Sequence, residues 1–185
     1  MQNLDETISL ISDFIQTYKQ DDNILIKFSL GKYTDVFGFE ENLFHRENYN
    51  KIINLLESCT SWEEVAEESD EKFTESHEKI VDSVIINYIG SPYDILITAQ
   101  TKKMTRIYKS ETYIETCMSY KRKLHTYLIQ TTSDYGQQNY NFELTLIPDE
   151  FTSNVYMAHS SILKINDVIS CCGKITSEHV YVINK

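Results

Sequence analysis

The chain has 185 residues, 41% of them hydrophobic and 24% charged, and carries a formal net charge of −11. That suffices for one good core in a single domain, is too apolar for a disordered chain, and includes no apolar run of the ~18 residues a membrane-spanning helix needs. The acidic balance excludes unaided coating of nucleic acid, because neutralising phosphates takes a surplus of Lys and Arg, although a local basic groove stays open.

In chain order, residues 4–18 (LDETISLISDFIQTY) place Leu4, Ile8, Ile11, Ile15 and Tyr18 at helical spacing. Acids stand here where a secretory signal would carry basic residues, so the four cysteines are expected in a reducing, intracellular compartment, cytoplasm or nucleus. A strand comes next, from Ile24 to Leu30, with Ile24, Ile26, Phe28 and Leu30 on one face and Leu25, Lys27 and Ser29 on the other. Tyr49, Ile52, Ile53 and Leu56 then mark a second helix over about 46–58. The acid-rich segment 61–79 lacks apolar periodicity and reads as a solvated loop or frayed helix.

From 80 to 147 the pattern is that of strands: KIVDSVIINYI, YDILITA, MTRIYKS, TYIETCMSYKRKLHTYLI and YNFELTLI. Gly90-Ser91-Pro92, Thr101-Lys102-Lys103 and Asp134-Tyr135-Gly136 supply the turns, and such short joins predict antiparallel hairpins. The tail reads as a weak helical stretch near 154–169 and a final strand, HVYVINK. Thirteen tyrosines against five glycines and two prolines fit a chain rich in strands.

Three groups of residues invite a chemical reading. In MSYKRKLHTYL, taken as one extended strand, Ser119, Lys121, Lys123, His125 and Tyr127 share a face. Adjacent lysines repel unless an anion lies between them, so this is either a phosphate-holding face or a solvated edge whose lysines discourage aggregation. In YNFELTLI, Phe142, Leu144 and Leu146 point one way and Asn141, Glu143 and Thr145 the other, so Glu143 faces either an ion-pair partner or a metal. Cys171, Cys172, His159 and His179 do not form the four-ligand set of structural zinc, since adjacent cysteines point apart in a strand and no knuckle is present.

The order of these parts resembles the triphosphate tunnel metalloenzymes, and among them the RNA 5′-triphosphatases of fungal and large-DNA-virus mRNA capping systems. NILIKFSLGKY resembles the opening strand of type E-x-E-x-(R/K/S)-x-G in length, position and closing glycine; FGFEENLF, the helix at 46–58 and Trp62 resemble the turn, amphipathic helix and tryptophan that the family carries after that strand. RIYKS and SYKRKLHTYLIQTT stand where the family has strands rich in Arg and Lys that hold the triphosphate, and YNFELTLI resembles the second acidic strand. The likeness covers roughly residues 24–147.

The resemblance implies an α+β fold: an antiparallel, tunnel-like β-barrel with a few flanking helices. The resemblance supplies the barrel core (24–147) of the one domain, and the residue patterns flank it with an N-terminal helix (1–20) and a C-terminal helix and strand (148–185), for which the family offers no counterpart. The resemblance also implies phosphate-binding roles for Lys27, Arg106, Lys121, Arg122 and Lys123, and a catalytic, metal-binding role for Glu143 with Mn or Mg.

The departures concern the metal: Leu25 and Lys27 stand where the first pair of glutamates would fall, and Thr145 stands where a partner of Glu143 is expected. One carboxylate does not hold a hard divalent cation tightly, whereas Lys27 can take the cation's place electrostatically. No register slip restores the first pair, because residues 21–32 contain no Glu. Two functions are then open. One is a non-catalytic domain that serves as a protein partner or architectural subunit of a capping or transcription assembly, in a cell or a virus-infected host, without cofactor. The other is an active metal-dependent RNA 5′-triphosphatase acting on triphosphate-ended RNA, with Glu111 or Glu115 as substitute ligands. A third reading is an unrelated α+β domain whose strands mimic the order.

Overall fold

The computed structural model describes residues 4–70, 72–76, 79–102, 105–109, 113–176 and 178–184. In chain order they form α1 (Leu4–Tyr18), β1 (Ile24–Thr34), β2 (Gly38–Glu41), α2 (Arg46–Glu57), β3 (Glu64–Asp70), β4 (Lys72–Ser76) and β5 (Ile80–Tyr88). Next come β6 (Asp94–Thr101), β7 (Thr105–Lys109), β8 (Tyr113–Arg122), β9 (His125–Asp134), β10 (Gln137–Leu146), α3 (Asn154–Cys172) and β11 (His179–Asn184). The main sheet runs β11-β5-β6-β1-β10-β9-β8-β3, with β2 also paired to β1, and β4 and β7 form a separate ribbon. Every pairing is antiparallel. The architecture is therefore α+β, and the ends of the path, β11 and β3, are not joined by hydrogen bonds among the described residues.

The apolar side of each central strand faces the helices. Ile26, Phe28 and Leu30 of β1, Ile95 and Ile97 of β6 and Phe142 and Leu144 of β10 share one core with Ile11 and Ile15 of α1, Ile52 of α2 and Ile162 and Ile165 of α3. Burying each such side chain contributes about 1.5–3 kcal/mol, so this side dominates the stability of the sheet. Helix α1 begins with Asp5 and Glu6, acids suited to the positive end of its dipole, and α3 is capped by Ser153, whose Oγ accepts the N–H of Tyr156 at 3.2 Å. A fully buried Tyr93 ties the segment before α2 to the sheet: its hydroxyl donates to Leu43 O (2.6 Å) and accepts from Asn48 Nδ2 (2.7 Å).

The opposite face is polar, yet much of it is buried as well. Lys27, Ser29, Ser83, Thr98 and Gln100 are all inaccessible or nearly so, although the helices lie on the other side. A sheet that buries a polar face without a helical layer over it must wrap that face inward, which gives this fold an interior besides its core. Asp94, fully buried at one end of this interior, accepts the N–H groups of Tyr88 and Tyr33 and the amide of Asn87 at 2.9 Å each, with Lys32 at 3.6 Å. That carboxylate joins the ends of β1, β5 and β6.

Two sequence expectations are corrected. The acidic 61–79 segment is not a loop or frayed helix but contains β3 and β4, with β3 lying along β8 at the sheet's edge. The stretch 112–129 is not one strand but the hairpin β8–β9, turned at Lys123-Leu124 with Lys123 in the left-handed region at φ 53°. The weak C-terminal helix is the full-length α3 packed along α1, and β11 extends the sheet on β5.

Gly31 is the closing glycine of the opening strand, and β2 explains it. A Cβ there would stand 2.0 Å from the carbonyl oxygen of Glu40, on the paired strand. Gly31→Ala is expected to lower the urea midpoint by the equivalent of about 2–3 kcal/mol, since backbone rather than a flexible side chain must move. A variant within ~0.5 kcal/mol of the wild type, the usual scatter for harmless surface changes, would show that β2 does not press on β1 in solution.

Candidate functional site

The strand registers bring the inward-facing residues into rows. Across one row run Lys121 of β8, Thr126 of β9, Thr145 of β10, Lys27 of β1, Thr98 of β6 and Ser83 of β5. The next contains Ser119, Leu128, Glu143, Ser29, Leu96 and Ile85. Lys27 and Glu143 are thus diagonal neighbours on adjacent strands, and the Lys27 ammonium reaches Glu143 Oε1 at 3.3 Å and Oε2 at 3.5 Å. Lys27 is 9% exposed and the Glu143 side chain 24%, so the pair stands at the boundary between the dry part of the interior and its wetter side.

The other sequence candidates separate into groups. Leu25, Lys27, Lys121, Glu143 and Thr145 lie on the same inward face. Lys121 is three strands from Lys27 in its row, about 14 Å measured along the sheet. Lys123 does not share this face. The turn interrupts the alternation, leaving Lys123 exposed while His125 and Tyr127 face the core, so the continuous lysine row read from sequence is broken. Arg122 faces the helices, its guanidinium 3.9 Å from the Cys59 sulfur. Arg106 belongs to the β4–β7 ribbon, in register with Glu75, and its side chain lies outside the described residues, as does Glu111. Glu115 faces inward but two rows beyond that of Glu143, hydrogen-bonded to Gln130.

These donors do not fit a divalent cation. Around Glu143 stand an ammonium, a threonine and, farther along, a leucine, where a hard cation needs several oxygen ligands. Glu115 is about 13 Å farther along its strand than the row of Glu143 and cannot complete a cage with it. Among the described residues no three His, Cys, Asp or Glu side chains are placed to hold a metal ion.

No protein-family model matches the chain, and no curated protein matches it in sequence. Solved structures do. The S. pombe Pct1 RNA triphosphatase in complex with the Spt5 CTD superimposes with a TM-score of 0.64 at 10% identity, over 90% of this chain and 93% of that one. A second structure, of S. pombe Pct1 RNA triphosphatase, gives 0.63 at 10% identity, over 90% and 92%. The chain has a triphosphate-tunnel-like fold. The inward rows of Lys27 and Glu143 are, on this footing, its tunnel face, and the likeness extends well beyond residues 24–147, to which the sequence resemblance was confined.

The reverse face of the β8–β9 hairpin carries a second concavity that sequence reasoning missed. A cavity of about 360 Å³ opens between this hairpin, α2 and α3, floored by Leu56, Trp62, Tyr127 and Val168 and rimmed by Arg122, Lys123 and Lys164. Its cations come from separate stretches of the chain, so only the hairpin turn assembles them. At its back His125, 1% exposed, hydrogen-bonds Ser161 Oγ at 2.8 Å, and Ser161 donates its own proton to Met157 O. His125 Nε2 is therefore the donor, which the neutral imidazole satisfies. Burial first, and then the charge of Lys164, depress its pKa from 6.5 to about 3.

Below pH ~6.5 the unfolded chain takes up a proton that the folded chain refuses, so stability falls as pH drops from that value towards 3. His125→Gln keeps an N–H donor and removes the titration. Its urea-unfolding free energy should decline less with acid than that of the wild type, by roughly 1.4 kcal/mol per pH unit within this window. Parallel pH profiles for the two proteins would mean that His125 is not the proton-linked group.

Proposed function

We propose that this chain is a tunnel-fold domain without metal-assisted hydrolysis, serving as a partner or architectural subunit of an mRNA capping or transcription assembly. The ion pair between Lys27 and Glu143 carries this reading. In the family the chain resembles, the position of Lys27 belongs to a metal-binding glutamate. A fixed ammonium there neutralises the remaining carboxylate, but offers no open coordination site to polarise a γ-phosphate. Lys121, with Lys27, keeps positive charge on the tunnel face, so anions can still be attracted to it. The core that holds the fold lies on the other side of each strand, so the fold does not require the chemistry. One matching structure is an RNA triphosphatase in complex with the Spt5 CTD, which supports partner binding as a use of this architecture.

Incubation with γ-labelled triphosphate-ended RNA, or with nucleoside triphosphate, in Mn²⁺ and in Mg²⁺ should release phosphate no faster than buffer does. Release that disappears in Glu143→Ala would overturn the non-catalytic reading and restore the enzyme. The complementary variant supplies carboxylates at the two departed positions one row from Glu143. Lys27→Glu with Thr145→Glu places acids close to Glu143, so it should melt below the wild type without metal through like-charge repulsion and recover in millimolar Mn²⁺. The wild type should show no such metal-dependent rise in Tm.

A further inference from the structure

The cavity on the outer side of the β8–β9 hairpin is unlike the rest of this acidic molecule. Arg122, Lys123 and Lys164 converge on its rim, and none of the three lies within salt-bridge distance of a carboxylate among the described residues. Among the described residues Arg122 reaches the Cys59 sulfur, and Lys164 reaches Ser160 Oγ at 3.0 Å. Asp167 also lines the cavity and offsets part of the charge, while Glu63 accepts the backbone N–H of Lys123 from outside it. The pKa of Lys164 is held below the usual lysine value, by burial first and then by repulsion from Arg122 and Lys123. In a chain of net charge −11, a cluster of mutually repelling cations around an aromatic floor is costly unless an anion occupies it.

The cavity continues past Lys123, Leu124 and Tyr156 into a second depression of about 690 Å³ that is lined by Ile147, Pro148 and Phe151. Phe151 is 97% exposed and Tyr156 59%, large apolar surfaces with nothing over them in the described chain. The two depressions together form a groove with a cationic, aromatic-floored end and an apolar end. Such a shape suits an extended chain better than a compact molecule.

We propose that this groove binds a protein segment carrying a phosphorylated side chain close to an aromatic or aliphatic residue. The phosphate would be held by the Arg122 guanidinium and the Lys164 and Lys123 ammonium groups, and the apolar neighbour would lie against Phe151 and Tyr156. A phosphate rather than a carboxylate fits because it concentrates up to two negative charges and several acceptor oxygens in one place, matching a fork and two point donors. It also fits because the overall charge repels acidic partners at a distance, so attraction must come from short range. The site lies on the opposite side of the sheet from the tunnel face, and the proposal stands whether or not the tunnel hydrolyses anything.

Trp62 is the only tryptophan and lines the cavity, so its fluorescence reports occupancy without a label. The probes are two short synthetic peptides with one phosphoserine, the phenylalanine on its N-terminal side in one and on its C-terminal side in the other. Their unphosphorylated twins and a 5′-monophosphorylated single-stranded RNA complete the set. At least one phosphopeptide should change the signal saturably, and its twin should bind at least ~10-fold more weakly, the loss expected for charge-assisted hydrogen bonds.

Arg122→Ala and Lys164→Ala should each weaken binding by a similar factor. Lys123→Glu, at an exposed turn where the core is untouched, should weaken it while melting like the wild type. Lys51→Ala, at an exposed lysine of α2 outside both depressions, should bind as the wild type does. The proposal is overturned by silence with both phosphopeptides, by twins that bind as tightly, by unchanged affinity in Lys123→Glu and Arg122→Ala, or by a response to the RNA alone.

Discussion

Strand β1 is covered on both of its faces, and most of the structure derives from how its two sides meet that condition. On one side Ile26, Phe28 and Leu30 enter the core against the helices. On the other, Lys27 and Ser29 are buried in a polar interior, where an ammonium withdrawn from water must find a counter-ion or lose its proton. Glu143 supplies it from β10, and the β1–β10 register is the one that sets Ser29 opposite Glu143 and Lys27 one step away. Slipping that register by a residue would send Lys27 or Glu143 into the apolar core, a penalty far above the energy of the ion pair itself. The pair is therefore less a source of stability than a pin for the register on which the tunnel face depends.

Legibility in the sequence tracked how sharply each segment alternates. Leu4–Tyr18 and Arg46–Glu57 carry one apolar stripe each, and both helices fall where the spacing predicts. β1 and β10 alternate cleanly because one side meets the core and the other does not, so the facing of Lys27 and Glu143 was readable without coordinates. β3 was not, because it is an edge strand rich in acids. Glu64, Glu67 and Glu68 are exposed, and what makes it a strand is the pairing with β8, not a buried stripe of its own. Such a segment has composition but no period.

The hairpin at Lys123-Leu124 was hidden for a different reason. Tight hairpin turns usually announce themselves with Gly or Asn, which tolerate positive φ, and here a lysine takes that conformation. An alternation continued through it assigns His125 and Tyr127 to the face of Lys121, whereas the chain reverses and both side chains enter the core. The same reversal is what sends Arg122 and Lys123 towards α3 and Lys164. One misread turn thus concealed both the true membership of the tunnel face and the existence of the outer groove, since neither is local in sequence.

The separation of the two faces explains how a fold can be kept at 10% identity to the structures it matches. Residues on the core side are constrained by volume and apolarity, conditions that many side chains satisfy, so they can be exchanged with little change of shape. Those on the tunnel side are constrained by charge balance, and here the Lys27 ammonium and the Glu143 carboxylate neutralise each other across β1 and β10. A change on that side that keeps the balance leaves Gly31 and the helical layer unaltered, because each answers to the opposite side of the sheet or to the backbone. Shape alone therefore carries no information about catalysis in this fold.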